Sequence, residues 1–399
     1  MSMPTSPLEN KLAANNDIVS IPSIFDLSTE SDRKKVGHLF DTGSIRRVVD
    51  DFEEQVRELF AIRNPSDVYR PDFFEKVNRH IEERKTAMPL WQQGKWVFFP
   101  WLSTLTHILD DEDFQRVRTA RNRNLIREEE QAAFYNAVIG IGGLSVGSSV
   151  ALSVVLQGGA KHIRLADFDR LALSNINRIR SGVQDLGSRK VEMTARQIYE
   201  LNPYAIVEIF PNGLARENLD RFVGGPPKLD VIVDELDDVS IKYLIREKAK
   251  QYRVPVVMGA DNGDNSVLDI ERYDLDPSLQ FFHGRLGDVS YDELKSLDKF
   301  DIGRTITKHI GPENITARMQ ESLLAMGKTI VSWPQLGGAA WINGAAVAYC
   351  IRKIVTGQPL EDDRAIISVD EKLLPDYHSD AAREKRENTA ESFRKMFGL

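Results

Sequence analysis

In the stretch "AVIGIGGLSVGSSVALSVVL", Gly140, Gly142 and Gly143 follow a short apolar run and precede a helical one. Glycines so placed permit a tight turn and a close approach of backbone to phosphate, and the leading amides of the following helix attract an anion. Where a dinucleotide-binding turn carries its third glycine this chain has Ser145. That weakens a simple NAD assignment, because the third glycine ordinarily lets helix and strand pack closely. Asp167 lies roughly 25 residues after Gly142, at the end of a second apolar run, where a carboxylate accepts the ribose hydroxyls of ATP or NAD alike. Beyond it, "LSNINRIRSGVQDLGSRK" adds Asn175, Arg178 and Lys190, an amide and two cations. A triphosphate needs such groups, and a nicotinamide fold has no general use for them.

The elements that must position these groups follow from periodicity. "FYNAVIGIGG" reads as a strand ending in a glycine turn, Val146 to Leu156 as a helix, and "HIRLADFD" as the next strand. Helices at Lys190 to Leu201, near Glu217 to Phe222 and at Ser240 to Tyr252 then alternate with strands at Ile206 to Phe210, Leu229 to Val233 and Val254 to Met258. This alternation predicts an α/β, Rossmann-like, doubly wound and mainly parallel sheet. Upstream, Val48, Val49, Phe52, Val56, Leu59 and Phe60, then Phe74, Val77 and Ile81, recur at three- and four-residue steps and predict an N-terminal helical extension. The aromatic-rich "KWVFFPWLSTLTHIL" is expected to pack those helices onto the next domain.

The predicted organisation is a flexible arm at 1–30, a helical accessory region at 31–115, the nucleotide domain at 116–360 with an irregular substrate loop near 274–330, and a charged tail at 361–399. Ala-rich "GGAAWINGAAVAYCIRKIVTG" predicts a helix that packs closely and ends at Gly357.

Sixty acidic residues against 52 basic ones give a net charge of -8, which offers no global reason to expect nucleic acid or a membrane surface as partner. No apolar run is long enough to span a bilayer and the first residues do not form a signal peptide, so a cytoplasmic location is expected. The single cysteine, Cys350, rules out an internal disulfide and a cysteine-built zinc site, so no zinc is expected. It lies among "AAVAYCIRKI" and reads as a buried thiol. His283 and His309 read as loop or capping histidines.

The ordered set "GIGGL", "ADFD", "SNINR", "GSRK" and "VDELDD" resembles the ubiquitin-activating-enzyme superfamily in its simpler form, the ThiF, MoeB and HesA type adenylyltransferases, over about Arg121 to Val355. The resemblance implies ATP and magnesium as cofactors, Asp167 at the ribose, Asp169 among the cofactor-binding residues, Asn175, Arg178 and Lys190 at the phosphates, and Asp237 at the magnesium. "RNRNLI" is similar to the segment that lends an arginine to a neighbouring subunit, which makes Arg123 the candidate finger and implies a homodimer. The implied substrate is a carboxylate, either the C-terminus of a small protein or peptide or a small acid.

The chain departs from the family at Ser145 and at Ile179, where a glutamine is usual, and it lacks the cysteine that some members load with a thioester. Each residue also has a plain structural alternative: Asp167 a strand-end cap, Arg178 and Lys190 solvated cations, Asp237 a loop acid, Arg123 half of a surface ion pair. Two other functions compete. A non-catalytic scaffold would not need Arg178, Lys190 and Asp237 together, and a Rossmann oxidoreductase would not need Asn175, Arg178 and Lys190.

Overall fold

The computed structural model describes residues 21–398 and divides into two compact units, Met1–Ala120 and Arg121–Leu399. Residues 1–20, most of the expected flexible arm, lie outside the described residues.

The first unit is mixed α/β, which corrects the expectation of a helical region. Its sheet has strand order β1 (Ser23–Phe25), β3 (Lys95–Phe99), β4 (Thr104–Ile108), β2 (Arg47–Asp50), with β2 parallel to β4 and the other pairs antiparallel. β1 falls within the segment expected to be an arm. The rings of "KWVFF" belong to a buried strand, and Trp96 and Phe98 close a core with Phe25, Leu27, Val36, Ile45 and Leu105 inside this same unit. Val48 and Val49 fit a helical period, yet Asp50 and Asp51 interrupt it and the helix starts only at Phe52 (Phe52–Arg63).

The second unit is built on a seven-stranded sheet, in the order β11 (Asp363–Ile367), β10 (Asn265–Glu271), β9 (Val256–Asn262), β8 (Val231–Asp234), β5 (Val138–Gly142), β6 (His162–Ala166), β7 (Ile206–Phe210). β9, β8, β5, β6 and β7 are parallel, and β10 and β11 add antiparallel at one edge. On one face the helices Leu219–Gly224 and Val239–Tyr252 bury Phe222, Leu244 and Ile245 against Val138, Ala166 and Ile232. The helices Gly147–Leu156, Lys190–Leu201 and Gly337–Val355 pack together on the other side. The small residues of the last allow this: a Cβ on Gly344 would stand 2.7 Å from the Ser149 carbonyl.

Segment 274–330 is largely helical rather than irregular, with helices Tyr291–Ser296, Lys299–Ile310 and Ala317–Ala325. Its polar residues and glycine punctuate helices: Ser290, Asp298 and Thr316 cap N-termini, and Gly311 ends one. The region from 361 onward is also no tail. β11 completes the sheet, and the helix Asp380–Phe397 buries Phe393 with Val267, Ile310 and Leu323. No described helix is long and apolar enough to cross a membrane.

Candidate active site

The parallel strands end their C-terminal edges together, and the strand order reverses between β5 and β8, the place where open α/β sheets form their ligand crevice. β5 is buried throughout and runs into Gly143, whose N–H donates to the Ala166 carbonyl at 2.9 Å, and into Leu144, whose N–H donates to Asp167 Oδ2 at 2.7 Å. Gly143 takes φ +84°, and a Cβ there would lie 2.2 Å from the Glu235 carbonyl oxygen, so only glycine fits. Gly140 faces Phe222 and Leu229, and Gly142 faces Leu236. The close helix-to-strand approach given up at Ser145 is made two residues later. Gly147 sits where a Cβ would be 2.8 Å from Ile141 Cγ2.

Asp167 is 7% exposed. Its Oδ1 accepts from the Asp169 N–H at 2.7 Å, so it does cap the strand end, while each carboxylate oxygen keeps a further lone pair. Burial pushes its carboxyl up, and the charge of Lys190 opposes that. Lys190 opens its helix and is buried. Its Nζ donates to Asp169 Oδ2 at 2.8 Å and stands 3.9 Å from Asp167 Oδ2. It is therefore no solvated surface cation.

Arg178 is half-buried. Its Nε donates to Ser145 Oγ at 2.9 Å, and NH1 donates to Asn177 Oδ1 at 2.9 Å and to the Ser174 carbonyl at 3.2 Å. The hydroxyl standing in place of the third glycine thus holds the guanidinium. Burial lowers the Arg178 pKa, with the Asp261 and Asp237 carboxylates working against it. Asn175 Oδ1 accepts from the Ala172 N–H at 3.0 Å and shapes the loop that carries Arg178. Ile179 is 2% exposed and packs with Leu171 and Met193, which accounts for an apolar residue at that position.

Asp237 is exposed on the loop after β8. Arg123 is not brought into this group; its guanidinium pairs with Glu128 at 3.1 Å on the surface.

Two carboxyls were missed from the sequence. Glu235 follows β8, and its Oε1 accepts from the Gly259 N–H at 2.9 Å; burial raises its pKa well above the ordinary value. Asp261 lies at the end of β9, 7% exposed, and burial pushes it up to about 6 against the hydrogen bonds from Asn343 and Gln335 and the charge of Arg178. The signal available was position alone: both stand at C-terminal strand ends next to the reversal point.

This donor set fits a nucleotide polyphosphate. No side chain caps the first turn of Gly147–Leu156, which leaves its leading N–H groups for an anion, and Arg178 and Lys190 supply fixed positive charge. Among the described residues no group of three or more His, Cys, Asp or Glu is placed to hold a metal by itself. A magnesium ion at Asp237 would draw its other ligands from phosphate and water, its ordinary habit.

The chain is similar to an uncharacterized protein of Mycobacterium tuberculosis, 34% identical over 330 residues, covering 81% of this chain and 45% of that one. It is similar to tRNA threonylcarbamoyladenosine dehydratase 2 of Saccharomyces cerevisiae, 33% identical over 38% of this chain and 34% of the relative. A third relative is the molybdopterin-synthase adenylyltransferase of Haemophilus influenzae, 28% identical over 33% of this chain and 53% of the relative. The chain spans about half or less of the length of these relatives. Residues 119–268, which hold the glycine turn, Asp167, Arg178, Lys190 and Asp237, match the ThiF family.

Proposed function

We propose that the chain is an ATP-dependent adenylyltransferase that activates a carboxylate as an acyl adenylate and releases pyrophosphate. One observation carries the reading: the glycine turn, Asp167, Lys190 and Arg178 meet at one sheet edge, beside the point where strand order reverses.

A substrate carboxylate oxygen attacks the α-phosphorus, the bond to the bridging oxygen of the β-phosphate breaks, and that oxygen leaves with its electrons on pyrophosphate. No protein nucleophile is needed for this step, only positioning and compensation of growing negative charge. Arg178, held by Ser145 and Asn177, supplies a charge of fixed direction. Lys190 keeps donor capacity beyond its bond to Asp169, since an ammonium has three N–H groups. Asp167 accepts from the ribose, and Asp169 and Asn175 shape the rim. Asp237 would hold a magnesium ion, which when bound would supply compensation of phosphate charge.

The product stays an adenylate or passes to an external nucleophile, because Cys350 is 2% exposed and burial pushes its thiol up to about 11. The substrate is a small protein or peptide C-terminus or a small acid; the adenylyltransferase name of the Haemophilus influenzae relative supports the reaction class. On the same reading Arg123 serves the neighbouring subunit of a homodimer, which its exposed position permits.

The test is ligand-induced thermal stabilisation by magnesium ATP against NAD and NADP, followed by carboxylate-dependent pyrophosphate exchange. Stabilisation by magnesium ATP alone is expected. Stabilisation by NAD would overturn the proposal.

A further inference from the structure

Asp261 is linked to Arg178 through Gln335 and Asn177, the link crossing from the side chain of Gln335 to its main chain. Gln335 Nε2 donates to Asp261 Oδ2 at 3.3 Å, Asn177 Nδ2 donates to the Gln335 main-chain carbonyl at 2.8 Å, and Arg178 NH1 donates to Asn177 Oδ1 at 2.9 Å. At the far end, Asn343 Nδ2 donates to Asp261 Oδ1 and Ser266 Oγ donates to Asn343 Oδ1. At the near end Arg178 Nε reaches Ser145 in the glycine turn.

The directions of these bonds are fixed by chemistry. A carboxylate only accepts, so Asp261 anchors Gln335 by an amide N–H. The main-chain carbonyl of Gln335, held in place by that side-chain anchor, also only accepts, so it takes the Asn177 Nδ2–H and leaves Oδ1 of Asn177 for the guanidinium. Backbone packing locks the link: a Cβ on Gly337 would stand 2.5 Å from the Asn177 carbonyl oxygen. None of these bonds uses Arg178 NH2.

A buried carboxylate whose direct partners are neutral amides is a poor choice for packing alone, because burying it costs several times what an amide of the same shape would. Its counter-charge is Arg178, two residues along the relay. The other acid that faces it is Glu235, on the loop after β8, which cannot neutralise it.

We propose that Asp261 is a positioning residue of the adenylation site, setting the orientation of the Arg178 guanidinium through Gln335 and Asn177. This rests on the adenylyltransferase reading. It makes segment 335–337 and the end of β9 part of the nucleotide site, although neither lies in the glycine turn or the Asn175 to Lys190 stretch.

The experiment is calorimetric titration of the whole chain with magnesium ATP for wild type, Asp261→Asn, Gln335→Ala, Arg178→Ala, and each of the first two combined with Arg178→Ala. Asp261→Asn and Gln335→Ala are each expected to weaken binding about tenfold, the worth of roughly one charge-assisted hydrogen bond. In the Arg178→Ala background the same changes are expected to cost nothing more, since they act through that side chain. Additive losses in that background, or unchanged binding in the single variants, would overturn the inference. If Asp261→Asn fails to fold, the Gln335→Ala pair decides alone. Wild type that binds no magnesium ATP would sink the adenylyltransferase reading itself, an outcome distinct from normal wild-type binding with silent variants.

Discussion

Replacing Gly143 by alanine tests the geometry of the turn. With φ at +84° an L-residue pays about 1–2 kcal/mol for backbone strain. The new Cβ would lie 2.2 Å from the Glu235 carbonyl oxygen, 2.5 Å from its carbon and 2.9 Å from the Leu236 nitrogen, all backbone atoms. They cannot retreat freely, because the Glu235 N–H donates to the Gly142 carbonyl at 2.8 Å and its Oε1 accepts from the Gly259 N–H at 2.9 Å. Loss of one such bond adds about 1 kcal/mol. A total of about 2–3 kcal/mol predicts a melting temperature lower by about 3–5 °C, and the distorted turn should no longer gain stability from magnesium ATP. Gly142→Ala is the internal control. Its Cβ would meet the flexible Leu236 side chain at 3.3 Å, so a change below about 1 kcal/mol is expected. Thermal unfolding by circular dichroism, with and without magnesium ATP, reads both. Equal melting temperatures for the two variants would refute the argument from backbone approach.

Arg178→Ala and Asp237→Ala should each abolish pyrophosphate exchange while melting near wild type, since Asp237 is exposed and Arg178 only half-buried; a large loss of stability would mark them as structural instead. Cys350→Ala should leave adenylate formation unchanged, and a hydroxylamine-labile thioester with labelled substrate that vanishes in the variant would contradict the buried-thiol reading. Asp269→Asn should destabilise by about 3–5 kcal/mol at pH 7, because the buried carboxylate meets His309 at 2.9 Å and both Nε and NH2 of Arg364 at 2.9 Å. Burial pushes that carboxyl up, but the bonds from His309 and Arg364 outweigh it and hold the pKa below its ordinary value. The stability it contributes is therefore present above the unfolded pKa and lost as pH falls, so the gap between wild type and variant should close below about pH 4, as read by urea unfolding at several pH values.

The parallel core was legible because its strands are continuous apolar runs and its helices keep a clear period; the helix Lys190–Leu201 begins and ends where the sequence places it. What escaped has specific causes. β10 and β11 sit at the sheet edge, and their pairing is fixed by the cross-strand partners Asp269 and Arg364, about 95 residues apart, a register that no local pattern contains. The same pair hid the role of His309, which ends a helix and meets Asp269 rather than capping a loop. The helix Asp380–Phe397 reads as solvated because, among the described residues, its buried side chains are Ala390 and Phe393 amid many charges. In the first unit, Val48 and Val49 obey a helical period by coincidence, and Asp50 and Asp51 decide against it.

At the site, residue types and spacing pointed to Asp167, Arg178 and Lys190, but the meaning of Ser145 needed three dimensions. A third glycine has one duty, to let the helix close on the strand, and Gly147 performs it here two residues on. Released from that duty, position 145 can carry a side chain, and its hydroxyl accepts from Arg178 Nε. The substitution therefore moves a constraint rather than removing one: the turn loses a glycine and gains a fixed point for the Arg178 guanidinium. The expectation that follows is counterintuitive. Ser145→Gly, which restores the familiar turn, should loosen Arg178 and weaken magnesium ATP binding by about the worth of one hydrogen bond to a charged group, roughly tenfold. Tighter binding by that variant would show that the hydroxyl is merely tolerated and that Arg178 is oriented by Asn177 and Ser174 alone.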